Sequence, residues 1–239
     1  MPAGAVCGPS GSPQKLPVAD AAFTNAHPLA AVLASVTAAC CPQRLNFHCH
    51  TICSDGSLTP EALADQAVAI GLEHLAVTDH HAIAGHAAVA QRLARHRDAG
   101  RAVPTLWRGV EISCLLEGCL VHVLALGFAA EHPSLEPYLQ GTSVVGPALR
   151  AEAVVAAIRA AEGLAVLAHP ARYRLPYGRL LAAAAALGFD GAEAWHDYDL
   201  QPRWTPTPLV CEAIARDLRQ RGLLLSCGTD THGLDLCGR

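Results

Sequence analysis

Lysine is nearly missing from this sequence: of its 17 basic residues only Lys15 is not an arginine, and no basic run occurs anywhere. A groove that tracks a long nucleic-acid backbone needs clustered positive charge. With a formal net charge of −4, the chain is not expected to take long nucleic acid, whereas a small phosphorylated molecule requires only local positive charge. Also missing is any apolar run of the roughly 18 residues that a membrane span takes, and no secretory hydrophobic region is seen, so no membrane partner is expected. The ten cysteines contain no Cys-x-x-Cys pair. In a chain of this length they read as reduced, mostly buried thiols of a cytoplasmic protein, not as a disulfide scaffold. No internal repeat is visible, and the sequence carries no signal of oligomeric state.

What is present is a hydrophobic majority, 51% against 16% charged residues, in 239 residues, enough for the core of one α/β domain. Residues 1–26, rich in Ala, Gly, Pro and Ser without periodicity, are expected to be a mobile tail. A short helix over 28–39, begun at Pro28 and stopped by Pro42, completes a 1–43 segment ahead of a single domain at 44–239. The spacing then predicts a strand at 44–49 and a helix from the Thr59-Pro60-Glu61 start to Gly71. A strand at 75–78 and a helix over about 85–98 follow. Strands at 105–113 and 119–126 are joined by a hairpin turn at Glu117-Gly118. Residues 127–147 read as loop. Helices at 148–161, 178–187 and 207–220 then alternate with strands at 164–168, 189–195 and 223–227. Such alternation argues for a parallel barrel or sheet.

Six segments end in side chains of the metal-binding type. In Leu45-Asn46-Phe47-His48-Cys49-His50 the two imidazoles project to one face of the strand, and Asp55-Gly56 follows on the next loop. Downstream come Thr78-Asp79-His80-His81, Gly109-Val110-Glu111, a lone His122, His169-Pro170 and Gly228-Thr229-Asp230-Thr231-His232. Strand carboxyl ends are where α/β proteins build their sites. Histidine and carboxylate together without thiolate suit Zn, Mn or Fe. A hairpin at 117–118 would also set Glu111 and His122 side by side.

In these motifs, in this order across residues 45–232, the chain resembles the PHP family of metal-dependent phosphoesterases, named for polymerase and histidinol phosphatase members. The resemblance implies a distorted (β/α)7 barrel of the PHP type and three divalent transition-metal ions. His48, His50, Glu111 and Asp230 would hold one ion; Glu111 would bridge to a second held by His122 and His169; Asp55, His80 and His232 would hold a third. It places the chain near the small stand-alone phosphoesterases, although only 46 residues lie between His122 and His169, fewer than in some of those relatives. Only three of the nine ligands are anions, so three divalent ions would leave a surplus of positive charge suited to a phosphate dianion. Asp230 is the candidate for orienting the nucleophilic water or accepting its proton. The expected reaction is hydrolysis of a phosphate monoester of a nucleotide or other small metabolite. The alternatives are a 5'-3' exonuclease on short oligonucleotides and a non-catalytic metal-binding PHP module, while amide or lactone hydrolysis is disfavoured by the positive charge.

Other polar residues carry two readings each. Asp79 either fixes the tautomer of a liganding imidazole or caps a strand end. Glu193, inside an apolar strand, needs a partner and is a candidate to line the cleft against substrate. Arg172 and Arg174 follow His169-Pro170 closely enough to grip a substrate phosphate, or lie on a surface loop. His81 is read as a neighbour of the site, and His74, His86, His96, His132 and His196 as surface or core histidines.

Overall fold

The structure, a computed structural model, describes Thr24 and residues 26–238. The expected tail therefore lies almost wholly outside the described residues. Thr24, close to its end, is buried and donates its hydroxyl to Asp190. Seven strands form one sheet in sequential order: β1 (Leu45–Asn46), β2 (His74–Val77), β3 (Thr105–Leu116), β4 (Cys119–Leu126), β5 (Leu164–Leu167), β6 (Gly191–Trp195) and β7 (Leu224–Cys227). All neighbours are parallel except β4, which runs antiparallel to both β3 and β5. The helices are α1 (Pro28–Leu33), α2 (Pro60–Ile70), α3 (Ala84–Asp98), α4 (Ala151–Ala160), α5 (Tyr177–Leu187) and α6 (Pro208–Arg221).

The sheet curls into a nearly closed barrel because the chain beyond β1, still bonded to Thr78 on the β2 side, also bonds to β7. Phe47 N–H donates to Cys227 O at 3.0 Å, Asp230 N–H to His48 O at 2.8 Å and His50 N–H to Thr231 O at 3.2 Å. The regular pairing of β1 covers two residues where the sequence predicts six, because beyond Asn46 the backbone groups are divided between two neighbours: Cys49 O accepts the Thr78 N–H at 2.9 Å and Cys49 N–H turns to the Thr78 hydroxyl at 3.1 Å, while Phe47 and His50 donate to the β7 segment. The first helix is also shorter than expected, ending at Leu33, since Ser35 turns its hydroxyl onto Val32 O at 2.7 Å and competes with helical bonding. The long loop contains two short 3-10 turns, Glu136–Tyr138 and Gly146–Leu149. Elsewhere local signals decide the elements. Thr59 accepts the Ala62 N–H at the start of α2, and Gly71 ends it in the left-handed region at φ 83°.

Phe47, Val110, Ile112, Leu124, Leu126 and Val166 are among the fully buried residues of the main core. A second cluster under α2 and α3 holds Leu63, Leu75, Val89 and Leu93. The strand order brings the ends of β1, β2, β3, β5 and β7 to one mouth. Because β4 is reversed, its contribution comes near its beginning, and the hairpin turn found at Glu117-Gly118 is what sets His122 there.

One glycine is required where the barrel closes. A Cβ on Gly228 would lie 2.2 Å from the Cβ of His48 and 2.5 Å from its backbone nitrogen. Gly228→Ala is thus expected to force β7 from the β1 segment and to destabilise the fold by about 1–3 kcal/mol, a Tm loss of roughly 3–10 °C for a chain this size. Thermal unfolding followed by circular dichroism checks this, and an unchanged Tm would show that the closure tolerates a methyl group.

Candidate metal centre

The mouth of the barrel holds a cleft of about 360 Å³ lined by Asp55, His80, Glu111, His122, His169, Arg172, Tyr173, Asp230 and His232. Below it lie His48 and His50, both without exposed side-chain surface. All nine residues of the expected ligand set are therefore brought together.

Their nitrogen and oxygen atoms converge in groups. His48 Nε2 lies 3.2 Å from His50 Nε2, 3.1 Å from Glu111 Oε2 and 3.2 Å from Asp230 Oδ1, and His50 Nε2 lies 3.1 and 3.3 Å from the same two oxygens. Two imidazole nitrogens facing each other at that distance have room for at most one hydrogen between them. A tetrahedral cation with ligands at ~2.0–2.1 Å sets neighbouring ligand atoms about 3.3 Å apart, so this donor set fits a single ion. The second carboxylate oxygen of Glu111, Oε1, faces His122 Nδ1 at 3.0 Å and His169 Nε2 at 3.2 Å. One carboxylate thus serves two nitrogen sets. A third group forms around Asp55, whose Oδ2 is 3.3 Å from His232 Nε2 and 3.7 Å from His80 Nε2, with His50 Nδ1 at 3.6 Å from Oδ1. His80 also approaches Glu111 Oε2 at 3.4 Å and so stands between groups.

Two of the clustered residues occupy unusual backbone. His169 has φ 28° and Asp230 φ 52°, a region that costs L-residues energy and is tolerated where surrounding contacts over-determine it. At Asp230 the flanking bonds to the β1 segment supply that restraint. At His169 the N–H is held by Glu193 Oε2 at 2.7 Å.

Glu193 is the main correction to the sequence reading. It is fully buried behind the imidazoles and does not line the cleft; its Oε1 meets His48 Nδ1 at 3.0 Å. A proton on Nδ1 leaves the Nε2 lone pair aimed at the centre, the support that liganding histidines usually receive. Asp79 differs as well. It accepts from Thr51 N–H at 2.6 Å and from the hydroxyls of Thr51 and Ser54 at 2.7 and 2.8 Å, so it braces the loop that carries Asp55 and does not orient His80. Arg174 is exposed and donates to Gly118 O at 2.5 Å, away from the cleft. Arg172 does reach the cleft, where its Nη1 meets Asp230 Oδ2 at 2.5 Å. His81 neither joins the cluster nor faces solvent: its Nε2 lies 3.2 Å from Ser113 Oγ. Sequence reasoning missed Tyr173, whose hydroxyl accepts the His122 N–H at 2.7 Å, and Asn46, whose Oδ1 accepts the N–H groups of His48 and Thr229. Neither had a spacing signal, since each acts across strands distant in sequence.

The charges are mutually dependent. Burial would raise the Glu111 carboxyl, but His48, His122 and His169 overcome it and hold the group well below its ordinary range. Asp230 behaves alike, with His48 and His50 outweighing burial. Burial would lower His50, yet hydrogen bonds to Asp230 and Glu111 raise it to about 9. His80, where burial dominates, is pulled down to about 4.

The PHP domain family model matches residues 46–165, half of the chain. A 5'-3' exoribonuclease of Haemophilus influenzae is 31% identical over 188 residues, covering 72% of this chain and 65% of that protein. A 3',5'-nucleoside bisphosphate phosphatase of Chromobacterium violaceum is 37% identical over 91 residues, 38% of this chain and 30% of that protein. The chain therefore spans less than two thirds of these curated relatives. Among solved structures, a chain from Bifidobacterium adolescentis superimposes with a TM-score of 0.64 at 22% identity, over 83% of this chain and 91% of the other, a likeness of fold. Among the described residues no helix is long and apolar enough to cross a membrane.

The raised His50 has a measurable consequence. Below about pH 9 the metal-free imidazole carries a proton that a cation must displace, so metal binding at pH 7 should release protons. The His50 proton should make apparent affinity rise with pH, about tenfold per unit, up to about pH 9. Titration calorimetry in buffers of different ionisation enthalpy measures the release. No proton release at pH 7 would mean that His50 is already neutral.

Proposed function

We propose a function for this chain from one premise: it belongs to the PHP domain family. We infer that it is a metal-dependent phosphoesterase that hydrolyses a phosphate monoester of a nucleotide or other small metabolite, using three divalent transition-metal ions, Zn, Mn or Fe. The observation that carries this reading is Glu111, buried to 1% exposure, with Oε2 turned to His48 and His50 and Oε1 turned to His122 and His169. A carboxylate so divided is suited to bridging two cations. In this assignment His48, His50, Glu111 and Asp230 take one ion, Glu111, His122 and His169 a second, and Asp55, His80 and His232 a third.

Bound ions would polarise the phosphoryl oxygens and lower the pKa of a water nearby. The chain's own residues supply placement and charge. Three carboxylates against three divalent ions leave about three positive charges at the mouth, to which Arg172 adds a fourth. A phosphate dianion satisfies them better than a neutral amide or lactone does. Asp230, held ionised by its imidazole neighbours, has Oδ1 turned to His48 and His50 and Oδ2 turned to the Arg172 side of the cleft. That second oxygen is placed to orient a water or take its proton. The paired Arg172 guanidinium can transfer its hydrogen bonds to an incoming phosphate, since its side chain is 38% exposed at the rim.

A second reading, a 5'-3' exonuclease on short oligonucleotides, is favoured by the similarity to the Haemophilus influenzae exoribonuclease. It employs the same residues on a diester. Against long chains stands the single guanidinium among the cleft-lining residues.

Three experiments test these readings, and the last decides between them. Protein reconstituted with Mn or Zn should hold close to three ions per chain by elemental analysis, and Glu111→Ala should lose more than one; one ion or none in the wild type would remove the trinuclear assignment. Asp230→Asn should keep the fold and lose ~10²-fold or more in turnover, whereas Arg172→Ala should act mainly through KM, by the ~1.5–3 kcal/mol of a charged hydrogen bond. On a panel of phosphate monoesters, nucleoside bisphosphates and short oligonucleotides, phosphate release supports the monoesterase. Mononucleotide release from oligomers alone supports the exonuclease, and silence in metal-loaded protein supports a non-catalytic module.

A further inference from the structure

The hairpin that delivers Glu111 and His122 continues outward past them, and its two faces differ. Register pairs Glu111 with Leu124, Ser113 with His122 and Leu115 with Leu120. Ile112, Cys114, Leu116, Cys119, Val121 and Val123 are all buried at 3% exposure or less, so they form the outer, packed face. Alternation puts Leu115 and Leu120 on the other face, the one that carries the metal-type ligands. There they are 37% and 54% exposed. The solvent face of a hairpin is ordinarily polar; here a cross-strand leucine pair stands two residues, about 7 Å, beyond His122.

This part of the hairpin is held in place. Arg174 donates to Gly118 O at 2.5 Å, Arg179 Nη2 pairs with Glu117 Oε2 at 2.7 Å, and Leu115 bridges to Arg150 on the open edge of β3. A clamped turn keeps the two leucines at a fixed distance from the cleft, which is the preorganisation a recognition element needs. The displacement from His122 matches the reach of a sugar between a phosphate and its base.

We propose that Leu115 and Leu120 form an apolar shelf that receives the flat organic part of the substrate, an aryl or nucleobase group, while its phosphate occupies the cleft. The inference rests on the phosphoesterase reading and narrows it: esters of small polyols and open sugars would leave the shelf bare, and nucleotides would cover it.

The test is a pair of unreactive probes on the Mn-loaded protein, the phosphonate analogue of adenosine monophosphate and methylphosphonate, with affinities measured by calorimetry. Wild type should bind the nucleoside phosphonate about tenfold or more tighter than methylphosphonate, the yield of covering two leucines. In Leu115→Thr/Leu120→Thr, chosen to keep strand propensity, that ratio should fall toward one while metal content stays at the wild-type level. Leu120→Phe should keep or raise the ratio. A wild type that binds both probes equally, or a double variant with an unchanged ratio, overturns the shelf and leaves the phosphoesterase reading standing. Failure of the metal-loaded wild type to bind methylphosphonate at all overturns both.

Discussion

The constraint on which the rest depends is the ionised carboxylate of Glu111, buried at 1% exposure. Burying a charge without partners costs several kcal/mol, and here the compensation comes from four imidazoles on three separate segments. His48 and His50 arrive after β1, His122 on β4 and His169 after β5. Each of these residues must reach the same height along the barrel for those contacts to form. The barrel is the arrangement that brings parallel strand ends to one rim, and the reversed β4 joins it by contributing from its other end.

The supports of this cluster are as specific as its members. Glu193 holds His48 Nδ1 and the backbone of His169 at once, so it couples two of the nitrogen sets from below. Asp79 stabilises the loop bearing Asp55 through Thr51 and Ser54. Asn46 pins the β7 exit to the β1 segment, where Asp230 and His48 meet. None of these three reaches the cleft, yet each limits how far the clustered nitrogen and oxygen atoms can move, a restraint on which affinity for a metal would depend.

The mouth combines two kinds of surface. Around the ligands it is polar, with Arg172 against Asp230; outward along the hairpin it becomes apolar at Leu115 and Leu120. On the phosphoesterase reading, bound cations would select for phosphate but not for what the phosphate is attached to. On the same reading, selection of the organic part would fall to a surface further out, and the hairpin is the element that continues from Glu111 and His122 in that direction.

By itself the sequence determined the alternation of strands and helices and the hairpin at Glu117-Gly118, because each of these leaves a local trace, and its motifs carried the family resemblance that implied the nine clustered residues. A period of two, a glycine past a helix end, and a histidine or acid just beyond an apolar run are legible without knowing what lies across the barrel. Tertiary structure alone decided the roles of Glu193, Asp79, Arg174 and Tyr173. Whether Glu193 faces the cleft or stands behind His48 depends on how β6 meets a segment 145 residues away. Asp79 turns to Thr51 and not to His80 because the two loops pack there. The two-residue β1 has the same origin: its continuation divides its backbone bonds between Thr78 and the β7 segment, an arrangement made by closure of the barrel. Such choices depend on contacts between residues far apart in the chain, and no local periodicity encodes them.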